Sequence, residues 1–176
     1  MATQPEFSLC CLLCFSALLR ISEALLRKAG DFVKGEHTYS VCLGYTKIGK
    51  RKGFMEYVTI TDHYLVGCLD AMLTGKLPGD RLFSFEYREF CCLFVEGLDA
   101  LHIRYLGFKT HSLRRGGATQ LFRECGSFDV VAERGRWHTL TACRLYVQDS
   151  VAALVQLALS SRAVGIINKY AYKLAH

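Results

Sequence analysis

The sequence predicts an α+β domain, mostly helical, with a small antiparallel sheet packed on a helical bundle. Three observations carry the prediction. Long stretches place apolar residues at helical spacing, two short runs have strand composition, and a basic, glycine-containing turn separates those two runs. With 176 residues, 51% of them hydrophobic, the chain is globular and large enough to bury one sizeable core.

Taken in order, residues 8 to 28 read as a helix that breaks near Arg20 and ends at Gly30, so that Arg20 projects from a helix start into a cleft. The run from Thr38 to Tyr45 sets Tyr39, Val41, Leu43 and Tyr45 on one face, and Phe54 to Ile60 is rich in β-branched and aromatic residues. Between them, Thr46, Lys47, Ile48, Gly49, Lys50, Arg51, Lys52 and Gly53 form a basic hairpin tip. Helices are predicted over 62 to 74, with Asp62 as cap and Gly75 as stop, and over 84 to 104, 111 to 124, 128 to 134 and 139 to 160. No repeat or low-complexity tract interrupts them.

The apolar run from Phe7 to Leu19 is not a secretory core, because Met1 to Glu6 carries no basic residue and no cleavage site follows. At about 13 residues it is also too short to span a bilayer, and it reads as a buried helix. The nine cysteines are odd in number and lie mostly inside apolar runs, as reduced core thiols do. Cys10, Cys11 and Cys14 are close together, yet Cys91 and Cys92 lack zinc-finger spacing, so core packing is preferred to a metal site. A formal charge of +6 favours polyanionic partners.

Arg20, Lys47, His111, Arg114, Trp137 and Tyr146 together suit attack on a phosphodiester. Such attack builds negative charge on the non-bridging oxygens, which preorganised cations stabilise. Arginine offers a planar fork that keeps its proton, and lysine a transferable one. A tyrosine nucleophile would conserve the energy of the broken bond as a phosphotyrosine, without a metal or other cofactor. His111 and Arg114, three apart at the start of a helix capped by Thr110, share one face near the positive end of the helix dipole. Gly116, Gly117 and Ala118 behind them suit close backbone packing. Glu23 lies on the face of Arg20 and orients it through an ion pair, or else forms an ordinary exposed one.

These residues fall in blocks that resemble the catalytic domain of the tyrosine recombinases, the phage-integrase-like family. Leu18-Leu19-Arg20-Ile21-Ser22-Glu23-Ala24-Leu25-Leu26 is similar to the family's first-arginine block, and Thr110-His111-Ser112-Leu113-Arg114-Arg115-Gly116-Gly117-Ala118-Thr119 to its His-x-x-Arg block. Gly135-Arg136-Trp137-His138, followed by Leu145-Tyr146-Val147, is similar to the last block, with the family's nine-residue interval from Trp137 to Tyr146. The order of the blocks over about 130 residues makes the likeness specific.

The resemblance implies Tyr146 as nucleophile, Arg20 and Arg114 as phosphate clamp, and a hairpin lysine as the acid that protonates the leaving 5′ oxygen. Lys47 is chosen for that role because it ends the strand, with Lys50 as the alternative. Trp137 fills a position where histidine is more frequent, with the neighbouring His138 as its rival. Lys50, Arg51, Lys52, Arg115 and Arg136 are expected to contact DNA, Arg115 facing away from the site toward backbone or solvent.

The expected function is therefore a site-specific recombinase or integrase of a mobile element. It would cleave and rejoin double-stranded DNA through a 3′-phosphotyrosyl intermediate, as a tetramer of protomers on DNA with a monomer in its absence as the alternative, without a membrane partner, inside the cell in the nucleus, nucleoid or cytoplasm. A type IB topoisomerase and a domesticated DNA-binding module without turnover are the alternatives. The expected organisation is one catalytic domain over 1 to 176, with a core at 8 to 150, a tail at 151 to 176 and no N-terminal core-binding domain. The tail either docks on a neighbouring protomer or covers its own core.

Overall fold

The computed structural model describes residues 4–44 and 55–175. Helix α1 (Gln4–Ser16) lies in the middle of the fold, with Leu9, Cys10, Leu13 and Cys14 buried in the main core. The chain then reverses through Ala17 to Leu19, where Leu18 adopts a left-handed φ of 51°, and helix α2 (Ile21–Leu25) begins. A non-glycine residue in that region costs on the order of 1 kcal/mol and needs tertiary support. Full burial of Leu18 supplies it.

The helix predicted to run to 28 stops at Leu25 because Arg27 turns inward. Its Nε donates to the Glu23 carbonyl and its Nη1 to the Cys42 carbonyl, stapling α2 to the sheet. The sheet runs β1 (Phe32–Lys34), β2 (Tyr39–Gly44), β3 (Glu56–Ile60), antiparallel throughout and ordered β1-β2-β3. Tyr39, Val41 and Leu43 all face the core, as the alternation predicts. Strand β1 was not predicted; three residues carry too little periodicity to announce themselves.

Helix α3 (His63–Leu73) starts where Asp62 Oδ1 accepts from the Leu65 amide at 2.7 Å, and ends before Gly75 at φ 79°. Helix α4 (Tyr87–Ala100) contributes Phe90 and Phe94 to a run of aromatic contacts with Phe83 and Phe85, which fills the core behind α1. Helix α5 (His111–Cys125) crosses α1 so closely that a Cβ on Gly117 would stand 1.9 Å from the Phe15 carbonyl oxygen. Helices α6 (Phe128–Gly135) and α7 (Leu140–Tyr146) follow, and with α5 they build a second, smaller core around Leu18, Ala118, Val131, Ala132 and Cys143.

The single helix predicted over 139 to 160 is two. Val147 and Gln148 break it, because the Gln148 amide donates to Thr119 Oγ1 at 3.0 Å on α5, and helix α8 (Asp149–Leu157) starts afresh. The last helix, α9 (Ser161–Ala175), inserts Ala163 into the main core, so this part of the tail covers its own domain. Among the described residues no helix is long and apolar enough to cross a membrane.

Candidate active site

The turn at Leu18 sets Arg20 as the residue that opens α2. Glu23, one turn on, accepts from the Arg20 amide at 2.8 Å and pairs with its guanidinium, fixing the arginine at the edge of an open depression of about 520 Å³ lined by Arg20, Tyr87, Thr110 and His111. Thr110, expected as the cap of α5, already has helical φ and ψ and makes no capping bond; Ser112 Oγ instead accepts from the Lys109 amide at 3.0 Å.

Arg114 is the unusual side chain of this site. It is 1% exposed, beneath α6 and α7, and its Nη2 donates to the Gly135 carbonyl. Its Nε and Nη1 are buried without a hydrogen bond; Nη1 lies 3.6 Å from Glu23 Oε2. Burial, reinforced by Arg20 and Arg136, lowers its pKa to about 10, still far above neutrality. Such unmet donors normally cost stability, and they are kept where an anion is to be held.

Gly135 explains how the aromatic cover fits. A Cβ there would strike the Trp137 ring at 1.8 Å, so only glycine lets the indole fold back over this backbone. Trp137 thereby stands 4.8 Å from the Arg114 guanidinium and 4.6 Å from the Tyr146 ring. The half-buried Tyr146 ring is 5.7 Å from the Arg114 guanidinium and lies edge-on to His111 at 6.0 Å. The indole, and not the exposed imidazole of His138, occupies this position. His111 is an exposed residue whose pKa is lowered below its usual value by partial desolvation first and then by Arg115, Arg114 and Arg20.

Two arginines differ from expectation. Arg115, expected to face away, lies 5.8 Å from the Tyr146 ring while remaining exposed. Arg136, expected on a DNA-contacting surface, turns inward with its side chain 11% exposed; Nη2 is 2.7 Å from Glu23 Oε2 and Nε is 3.4 Å from Glu56 Oε2. Burial alone would raise the Glu23 carboxyl, but Arg136 and Arg20 outweigh it and hold the pKa below its usual value. Nothing in the sequence pairs Glu56 with Arg136, since 80 residues separate an acidic strand start from a helix end. Lys47, Lys50, Arg51 and Lys52 lie outside the described residues.

Thus Arg20, His111, Arg114, Trp137 and Tyr146, spread over α2, α5, the α6–α7 turn and α7, come into one neighbourhood. The architecture around them matches two solved structures of the XerH site-specific recombinase. One is a pre-cleavage complex bound to difH substrate, with TM-score 0.65 and 17% identity over 82% of this chain and 43% of that one. The other is a post-cleavage complex bound to palindromic difH substrate, with TM-score 0.66 and 18% identity over 88% of this chain and 45% of that one. The chain has a tyrosine recombinase-like fold. It spans less than half the length of these XerH chains, and no protein-family model or curated protein matches its sequence. Within the tyrosine recombinase-like fold the chain is mostly helical, with its small sheet beside the arginine-lined site.

Proposed function

We propose that the chain is a site-specific DNA recombinase that cuts and rejoins strands through Tyr146, in the service of a mobile element. The observation that carries this reading is the Tyr146 ring set against a buried Arg114 whose Nε and Nη1 have no hydrogen bond. In the reaction, the Tyr146 oxygen bonds to phosphorus as the phosphorus–O5′ bond breaks. The phenol gives its proton to neutral His111, and the departing 5′ oxygen takes one from the hairpin lysine, Lys47 or Lys50. Arg20 and Arg114 hold the non-bridging oxygens, where charge grows. Trp137 and Tyr146 must shift to admit the phosphate, because both rings lie against the Arg114 guanidinium. The 3′-phosphotyrosine is resolved by a 5′-hydroxyl in the reverse step, with four protomers on two duplexes exchanging strands.

That aromatic cover also favours a second reading, a DNA-binding module that never opens to a phosphate. Covalent trapping separates the two. Wild type and Tyr146→Phe are incubated with pooled nicked duplexes, denatured, and the attached DNA is sequenced. DNA held only by wild type, linked through its 3′ end, supports the enzyme. Salt-sensitive binding by both proteins with no adduct supports the module.

A further inference from the structure

Arg136 leaves α6 with a left-handed φ of 57° and points back under the site, where a DNA contact would require it to point out. Its two partners come from different parts of the chain. Glu23 belongs to α2, and Glu56 opens β3 opposite Gly44, at the foot of the β2–β3 hairpin. Glu23 Oε2 also lies between two arginines, 2.7 Å from Arg136 Nη2 and 3.6 Å from Arg114 Nη1.

We infer that Arg136 is a positioning residue: it hydrogen-bonds the inner oxygen of Glu23, which leaves Arg114 Nε and Nη1 without a hydrogen bond and free to take an anion, and through its ion contact with Glu56 it holds the hairpin foot against the same site. The physical reason is local charge. Glu23 stands within ion-pair reach of Arg20, Arg114 and Arg136, and Glu56 within reach of Arg136. Without Arg136, Glu23 Oε2 keeps the Arg20 amide as a donor at 2.8 Å, and Arg114 Nη1 at 3.6 Å is the guanidinium left beside it. A buried carboxylate released by one arginine moves to the next rather than to water. Glu23 then closes on Arg114 and competes with substrate. The inference rests on the proposed function only in taking that anion to be a DNA phosphate.

The test is a double-mutant cycle of Arg136→Met and Glu23→Gln with two readouts. One is the single-turnover rate of covalent capture of nicked duplex. The other is pyrophosphate binding followed by fluorescence of Trp137, the chain's only tryptophan, 4.8 Å from the Arg114 guanidinium. Arg136→Met should weaken both on the order of tenfold, the scale of coupling between contacting charged groups. In the Glu23→Gln background the same change should cost less than about twofold. Arg136→Lys, which keeps a charge but cannot span both carboxylates, should fall between, and it replaces the methionine variant if that fails to fold. Glu56→Gln should slow capture while leaving pyrophosphate binding equal or tighter, a split that general loss of structure would not give. Additive losses in the cycle, or a wild type that answers to neither probe, would overturn the inference. A pyrophosphate response with the predicted Glu23 dependence but no DNA capture would retain it and sink the recombinase reading.

Discussion

The Trp137 indole stacks on the Tyr146 phenol at 4.6 Å between centroids, with an interplanar angle of 43°, and both rings lie against the Arg114 guanidinium. Cation–π contact partly replaces the water that a buried arginine gives up. It does not replace the missing hydrogen bonds at Nε and Nη1. The site is therefore held in a state that costs folding energy.

That cost is measurable. Arg114→Met keeps most of the volume and removes a desolvated charge, while Glu23 retains Arg20 and Arg136. Stability to urea should be unchanged or higher by about 1–2 kcal/mol, as for other incompletely paired buried ions replaced by apolar groups. Covalent DNA capture should drop by 10²-fold or more, on the order of the loss seen for other preorganised donors. A large loss of stability instead would mean that Arg114 is a structural pillar.

Close packing of α1 on α5 supplies a second prediction. At Gly117 the added methyl meets the Phe15 backbone at 1.9 Å, whereas at Gly116 it meets the tip of the Phe15 ring at 3.0 Å. Backbone cannot yield as a ring can. Gly117→Ala should destabilise by about 2–3 kcal/mol, the cost of overpacking, and Gly116→Ala by less than about 1 kcal/mol. Paired urea melts of the two variants check the difference.

The sequence made some of this architecture legible and hid the rest for physical reasons. The alternation of Tyr39, Val41 and Leu43 and the Asp62 cap are local signals, and both are found in the fold. The blocks around Arg20, His111, Arg114 and Tyr146 were legible as a pattern. What failed was nonlocal. The break after Tyr146 depends on Thr119 reaching Gln148, and α2 is cut short by Arg27 seeking a carbonyl on β2. Arg136 looked like a surface cation because its two carboxylates are distant in sequence. Buried charge pairs of that kind leave no periodic trace.

Tyr105 predicts how the tail is held. Its hydroxyl donates to the Ala158 carbonyl at 2.7 Å and accepts from the Ser160 amide at 3.1 Å, spanning the link from α8 to α9. Tyr105→Phe should cost about 1 kcal/mol, the net worth of such bonds. The loss should be local. Hydrogen exchange should speed up across residues 159 to 169 while α1 amides stay protected, and equal acceleration in both regions would refute the local latch.

Acid should act on the site through two groups, Glu23 and His111. Glu23 has its folded pKa depressed below 4.5, with burial opposing and Arg136 and Arg20 prevailing, so it stabilises the fold fully above that value. The contribution fades as pH falls below 4.5 toward the folded pKa; Glu23→Gln should therefore fall short of wild type at pH 6 and approach it in acid. His111 is a base whose folded pKa lies below 6.5, from partial desolvation and then the nearby arginines. Its neutral form is favoured in the native state, so protonation destabilises the fold as pH falls beneath 6.5. If neutral His111 takes the phenol proton, DNA capture should decline as pH falls beneath 6.5. Single-turnover rates of wild type and His111→Gln from pH 5 to 8 decide it: the variant should be slower at pH 7.5 and lack the acidic decline. An identical decline in both proteins would assign the proton to another acceptor.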